Sequence, residues 1–253
     1  MYNICLAVFS TSRPEYLEKS LNSISNLNFT GCNVTKILFD DYPMDRNNHV
    51  ISKLAIDNDF DYFILHPENY GLRNTWQELF NFVKLQNFDY IWHQEDDVSI
   101  LESINISSFI KILENNNYSQ LQLKRNNWYD YETEEIKAKP SDHVVDNYRI
   151  ETDDRFFWMM STLYSAQIAK DFDTNIWGSP SEVSLNSFTK EKYGKHTGLV
   201  KSYEGNNLVH HFGEYTRGIK ANKQDTDWDG FKWMDPTLKY SSRNPGMIYE
   251  ESL

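Results

Sequence analysis

Tyr90-Ile91-Trp92-His93-Gln94-Glu95-Asp96-Asp97-Val98-Ser99-Ile100 is a short apolar, aromatic run that ends in three consecutive carboxylates. The run reads as a buried strand, so the carboxylates emerge together at its carboxyl end. In open α/β sheets, ligands bind in the crevice just outside that end. Adjacent carboxylates repel one another unless a cation or a donor sits between them. A hard divalent cation holding a pyrophosphate would supply that partner. The plainer alternative is that such residues are solvated or cap the next helix, and the flanking sequence has to decide.

Upstream of the triplet the chain alternates strands with helices. Ile4 to Phe9 reads as a first strand, and Pro14 opens a helix with Leu17, Leu21 and Ile24 on one face. Val34 to Phe39 is a second strand ending at Asp40-Asp41, followed by helical sequence from Val50 to Ile56. Tyr62 to Leu65 is a third strand, and Trp76, Leu79, Phe80 and Val83 mark an amphipathic helix before the fourth. This alternation predicts an α/β fold with a mainly parallel, doubly wound sheet. Each strand end then delivers polar residues to one crevice: Thr11 and Arg13, Asp40 and Asp41, Asn69 and Arg73, and Glu95 to Asp97.

Downstream the periodicity weakens. Ile106 to Leu113 predicts a helix, Gln120 to Leu123 a strand, and Tyr129 to Asp142 an acidic loop. Phe156 to Tyr164 reads as a buried strand, Ser179-Pro180-Ser181-Glu182 as a helix start, and Leu199 to Tyr203 and Leu208 to Phe212 as short strands. Beyond Gly213 an irregular C-terminal tail is expected. No internal repeat is visible.

Composition narrows the class. At 253 residues the chain can bury a substantial core. The formal charge of −12 disfavours a broad electrostatic grip on nucleic acid or an anionic membrane. Cys5 and Cys32 are too few for a disulfide framework and are expected to be buried free thiols. The first nine residues lack the basic start and apolar core of a signal peptide, and no apolar stretch could span a bilayer, so a cytoplasmic location is expected.

Thr11-Ser12-Arg13-Pro14, Asp40-Asp41, Asn69-Tyr70-Gly71-Leu72-Arg73-Asn74 and Glu95-Asp96-Asp97, in this order, resemble nucleotide-sugar glycosyltransferases of the GT-A fold, especially family two. The likeness is strongest over the first 100 residues and looser over the next 115. It departs from the pattern where Tyr42-Pro43 replaces the usual Gly-Ser. The resemblance implies a GT-A-like sheet flanked by helices. Residues 1–103 would form the nucleotide-sugar half, 104–215 the acceptor half, and 216–253 a tail over the site. It implies Mn²⁺ or Mg²⁺ bound directly by Asp97. Asp96 would support the metal or ribose, and Glu95 the ribose. Asp41 or Asp40 would bind the base, and Arg73 would lie near the donor sugar or diphosphate.

Val209-His210-His211-Phe212-Gly213 resembles the late His-x-Gly of such enzymes, where a histidine completes the metal shell. His211 fits the spacing and His210 is the alternate. Glu182 is the candidate base for an inverting transfer, but Ser179-Pro180-Ser181-Glu182 is equally a capping box. The family's Glu-Asp pair is broken by Val183, and Asp153 and Asp154 stand in reserve. Phe156-Phe157-Trp158 would either wall the acceptor or fill the core. Arg217 and Lys220 could clamp the diphosphate or form a solvated turn.

The expected activity is transfer of a sugar from a nucleotide donor, a UDP-sugar first, to an acceptor hydroxyl on a glycan or glycolipid. Duplex DNA is disfavoured as acceptor: 37 acidic side chains face 25 basic ones, and no extended cationic track is visible. Two rivals are a nucleotidyltransferase and a binding module without turnover. The first should carry a glycine-rich phosphate loop, and Ser10-Thr11-Ser12-Arg13-Pro14 has no glycine.

Overall fold

The computed structural model describes residues 1–11, 13–41, 48–67, 71–124, 143–145, 147–153, 157, 159–176, 181–211, 232–234, 239–241 and 244–249. Its first half follows the strand–helix alternation. Strand β1 (Tyr2–Ser10) leads to α1 (Pro14–Ile24), a two-residue β2 (Leu27–Asn28) and β3 (Cys32–Asp40). Helix α2 (Asn48–Asp57), β4 (Tyr62–Leu65), α3 (Leu72–Lys84) and β5 (Tyr90–Glu95) follow. Then come β6 (Val98–Ile100), β7 (Ile104–Asn105), α4 (Ile106–Asn115) and β8 (Tyr118–Leu123). The remaining elements are β9 (His143–Val145), β10 (Tyr148–Asp153), β11 (Thr162–Ser165), α5 (Ala166–Asp171), α6 (Ser181–Tyr193), β12 (His196–Ser202) and β13 (Val209–His211).

Nine strands form one sheet in the order β4-β3-β1-β5-β11-β8-β12-β10-β9. From β4 to β5 every pairing is parallel. Beyond β5 the sheet is mixed: β11 is antiparallel to β5 and β8, β12 is parallel to β8, and β10 and β9 are antiparallel again. The central strand shows why the parallel half forms. Ile4 to Val8 are all at most 1% exposed, as a strand covered on both faces requires.

Alternation sends Ile4, Leu6 and Val8 to one face, against Leu17 and Leu21 of α1, Ile51 of α2 and Phe109 of α4. Cys5, Ala7 and Phe9 go to the other, against Trp76, Leu79 and Phe80 of α3, Ile168 of α5 and Leu185 of α6. Two apolar cores thus sandwich one sheet. Cys5 lies in the second core and Cys32 is only partly covered; both thiols are free, so the expectation of two buried thiols holds for Cys5 alone.

Two expectations change, and one strand was not anticipated. The apolar run from Phe156 contributes a strand only from Thr162; Phe157 and Met159 are buried outside any strand. A continuous apolar run carries no period that separates strand from irregular core. β10 lies in a stretch to which the sequence assigned no element; its alternation mixes Arg149, Glu151 and Asp153 with Ile150. In the expected irregular tail, Lys232–Met234, Lys239–Ser241 and Asn244–Tyr249 (β14 to β16) form a three-stranded antiparallel sheet. The expected loop from Tyr129 to Asp142 lies outside the described residues. Among the described residues no helix is long and apolar enough to cross a membrane.

Candidate active site

The parallel register brings the polar strand ends level. Phe9 pairs with Glu95, and Ser10 pairs with Asp40. The chain turns sharply after β5, where the Asp96 amide donates to the Phe9 carbonyl at 2.9 Å. That turn drives Asp96 and Asp97 under the start of α1, where each is 2% exposed. Two such carboxylates need strong partners.

Arg13 supplies the first. Its Nε donates to Asp96 Oδ2 at 3.1 Å, its Nη2 makes a second contact to Asp96 Oδ1, and its Nη1 lies 3.5 Å from Asp97 Oδ2. The Ser10 hydroxyl and the Thr11 amide donate to Asp96 as well, at 3.2 and 3.3 Å. Burial raises the Asp96 carboxyl above its ordinary range; Arg13 pulls against that rise and the Asp97 charge adds to it. Arg13, expected at the crevice, is also the internal counter-ion of the acidic turn.

Asp97 meets a second group through an unforeseen pairing. β6 and β13 form their own two-stranded sheet, with His211 opposite Val98 and His210 opposite Ser99. Alternation buries His211 and turns His210 to the other side. His211 Nε2 lies 3.4 Å from Asp97 Oδ2. Of the two expected histidines, His211 is the one that meets Asp97. Among the described residues no group of three or more His, Cys, Asp or Glu side chains is arranged to hold an ion. A carboxylate and an imidazole converging at one buried point still suit a borderline divalent cation. With Asp96 committed to Arg13, Asp97 and His211 are the two side chains that fit.

Asp41 is fixed from several sides. Its amide donates to the Ser10 carbonyl at 2.8 Å, and its own carbonyl accepts the Thr11 hydroxyl at 2.9 Å. Its Oδ2 accepts the Gly71 amide at 2.9 Å. Gly71 holds a φ of +79° at the start of α3, a conformation that side-chain-bearing residues disfavour, so the glycine is what lets that amide reach Asp41. Asp40 is fully buried beneath, while Arg73 is exposed on the first turn of α3. Thr11 acts as a splint between Asp41 and Asp96.

The acceptor-side expectations fare differently. Glu182 lies half-buried in the first turn of α6, and its carbonyl accepts the Phe157 amide at 3.2 Å. Ser179, its capping partner, lies outside the described residues, as do Asn69, Asp154, Arg217 and Lys220. Asp153 pairs with Thr197, and that rung runs through Gln120 and Tyr164 to Ile91. Its backbone is thus four strands and four residues of register from Glu95, on the order of 20 Å at ~4.8 Å per strand and ~3.3 Å per residue. β10 runs antiparallel, so its carboxyl end points away from the crevice. Phe157 is fully buried and edge-on to Tyr164 at 5.3 Å, so it fills core; Phe156 and Trp158 lie outside the described residues.

Several supporting residues had not been anticipated. The Ser20 hydroxyl donates to the Glu95 carbonyl at 2.9 Å, and Gln94 Nε2 donates to the Val98 carbonyl at 2.9 Å, clamping both sides of the acidic turn. Ser161 donates to Gln94 Oε1 at 2.7 Å. His93, inside the opening stretch, stacks on Trp76 at 4.5 Å and meets Phe9 edge-on. Burial pushes its imidazole down to about 3, so it is a neutral part of an aromatic floor. A polar residue inside an otherwise apolar strand was the available signal.

With this geometry in place, comparison with known proteins gives the class. The model of glycosyl transferase family 2 matches residues 4–179, more than half of the chain. The chain belongs to that family, and its sheet is the GT-A type. Among solved structures it is similar to the mannosyltransferase PcManGT from Pyrobaculum calidifontis in complex with GDP-Man and Mn²⁺, with 10% identity and a TM-score of 0.55, over 77% of this chain and 53% of that one. It is also similar to S. aureus TarS 1-349, at 14% identity and TM-score 0.51, over 90% and 70%. GalNAc-T7 with UDP, GalNAc and Mn²⁺ aligns at 8% identity and TM-score 0.55, over 83% and 44%. The chain thus spans about half the length of the mannosyltransferase and less of GalNAc-T7. No curated protein matches the sequence.

Proposed function

We propose that this family 2 chain is a metal-dependent, inverting glycosyltransferase. It would move a sugar from a nucleoside-diphosphate donor, a UDP-sugar first, to a hydroxyl of a glycan or glycolipid. The observation that carries the reading is the meeting of Asp97 and His211 at the carboxyl edge of the parallel strands. Two of the similar structures hold Mn²⁺ beside a nucleotide or nucleotide-sugar, which supports a metal here. Asp97 and His211 would hold Mn²⁺ or Mg²⁺, which when bound would supply charge neutralisation to the leaving group. Asp41, with Asp40 behind it, would read the base. Glu95 would face the ribose, and Arg73, Asn69, Arg217 and Lys220 would surround the sugar and diphosphate. Residues 1–103 would hold the donor and 104–215 the acceptor, with 216–253 over the site.

Glu182 would take the proton from the acceptor hydroxyl as its oxygen bonds to the anomeric carbon. The bond from that carbon to the phosphate oxygen breaks, and its electron pair leaves with the nucleoside diphosphate.

Titration calorimetry of UDP and GDP, with and without Mn²⁺, tests the reading on the wild type and Asp97→Ala. Metal-enhanced nucleotide binding should be lost in the variant, and His211→Ala should weaken it more than His210→Ala. Unchanged, Mn²⁺-dependent affinity in Asp97→Ala would sink the metal assignment.

A further inference from the structure

His66 follows β4 directly and is 5% exposed, wedged between two carboxylates from different elements. Its Nδ1 lies 3.5 Å from Asp41 Oδ1, at the end of β3. Its Nε2 lies 2.7 Å from Glu78 Oε2, on α3. Its amide donates to the Asp40 carbonyl at 3.0 Å, which fixes the ring beside the crevice. A neutral imidazole carries one N–H and one lone pair, so it can donate to only one of the two carboxylates. The imidazolium carries an N–H for each, with Nε2 hydrogen-bonded to Glu78 and Nδ1 in ion-pair range of Asp41.

We propose that His66 is a positioning residue for donor recognition: as imidazolium it holds Asp41 against the nucleobase, and on losing its proton it releases that carboxylate. This rests on the reading of Asp41 as the base-binding side chain. The two distances say which proton goes. The shorter contact to Glu78 keeps the proton on Nε2, so neutralisation turns the Nδ1 lone pair towards Asp41 Oδ1. Attraction becomes repulsion on one oxygen of Asp41, while the Gly71 amide continues to hold the other.

The charge balance supports a protonated ring near neutrality. Burial pulls the imidazole down, but contacts to Asp41 and Glu78 outweigh it, and the net direction is up from 6.5. Among the described residues these two carboxylates are the charged groups that act on it most strongly. The contribution of the Asp41 contact to nucleotide affinity should therefore be full at acidic pH and fall as pH rises through the raised value. The requirement falls on the base end of the donor, away from Asp97 and His211.

The test is calorimetry of UDP without added metal, so that proton competition at the metal ligands does not enter, across about pH 5 to pH 8, the range in which a histidine changes charge. Wild type, His66→Gln, Glu78→Gln and Asp41→Asn are compared, so titration of the ligand itself cancels. The wild type should lose about tenfold in affinity towards the alkaline end, the equivalent of one hydrogen bond. His66→Gln should lack that fall, keeping only the slope that the ligand's own titration gives every variant, and Glu78→Gln should shift the fall to lower pH. A purely structural His66 would lower the melting temperature of His66→Gln without removing the fall, and that result overturns the proposal. If Asp41→Asn binds UDP as the wild type does, the base-binding reading fails and the proposal with it. If Asp41→Asn is weak but His66→Gln keeps the fall, the proposal alone fails.

Discussion

On one side of β5, strands β1, β3 and β4 run parallel; on the other, β11, β8, β12, β10 and β9 change direction repeatedly. In the parallel half every carboxyl end meets the same edge. Ser10, Asp40, His66 and Glu95 arrive there simply by ending their strands. In the mixed half, direction decides. β8 and β12 run with β5, so Lys124 and Lys201 reach the crevice edge. β10 runs against it, so Glu151 lies part-way down and Asp153 at the far side. A polar residue at the end of a strand is a site candidate only if the strand points the right way.

The largest effect that would sharpen this contrast concerns the mixed half's catalytic candidate. Glu182→Gln should slow transfer by about 10²–10⁴-fold while leaving donor affinity intact, because glutamine keeps capping geometry but cannot accept a proton. Turnover and calorimetry on the same preparation decide it. Little change in rate, with lost stability in Glu182→Ala, would return the residue to helix capping.

The parallel half predicts a stability effect at its edge. Arg13→Met removes the guanidinium between Asp96 and Asp97, both almost fully buried. Breaking a buried pair from one side costs about 3–5 kcal/mol. Urea unfolding should show a loss in that range. Added Mn²⁺ should recover part of it, since a ligand that binds only the native state stabilises by mass action. A loss near zero would mean that water reaches the acidic turn.

The same contrast explains what the sequence made legible. The parallel strands and their helices were readable because apolar runs, Pro14 and the amphipathic pattern of α3 are local signals. The acidic turn was readable too, since its three carboxylates are consecutive. What was not readable is pairing between distant segments. Nothing near Val98 announces that His211 will sit opposite it. Arg13 could be placed near the crevice, but whether it faces Asp96 or the donor depends on the turn after β5. Asp153 could stand as a reserve candidate for the base because antiparallel direction leaves no local mark.

A smaller effect tests the mixed half's own charge cluster. Glu151 on β10 contacts both Lys124 and Lys201, and all three are largely buried. Burial pushes the Glu151 carboxyl up, but the two ammonium groups outweigh it and hold it below its ordinary 4.5. That stabilisation is present above 4.5 and is lost as pH falls through the lower native value. Glu151→Gln should cost about 2 kcal/mol at neutral pH, less than a fully dry pair because both lysines keep some water. The gap between variant and wild type should close in acid. A gap that persists unchanged would place the effect in packing instead of charge.

The smallest effect probes how tightly the mixed half packs where it cannot rely on parallel regularity. Gly198 on β12 sits between Leu121 of β8 and Thr152 of β10 in register. A methyl group built there would fall 2.9 Å from Ile150 Cγ2, 2.9 Å from Leu121 Cδ2 and 3.2 Å from Tyr118 Cδ1. The first two are closer than carbon atoms approach in a relaxed core. All three neighbours are side chains of the apolar core, so they can move, but Ile150 is β-branched and stiff. Overpacking of this kind costs about 1–3 kcal/mol, while alanine regains about 0.5–1 kcal/mol of the entropy that glycine loses on folding. Gly198→Ala should therefore destabilise by about 1–2 kcal/mol, read as a lower urea midpoint at unchanged slope. A neutral or stabilising result would show that Leu121 and Ile150 yield freely, and that this half of the sheet is looser than the core around β1.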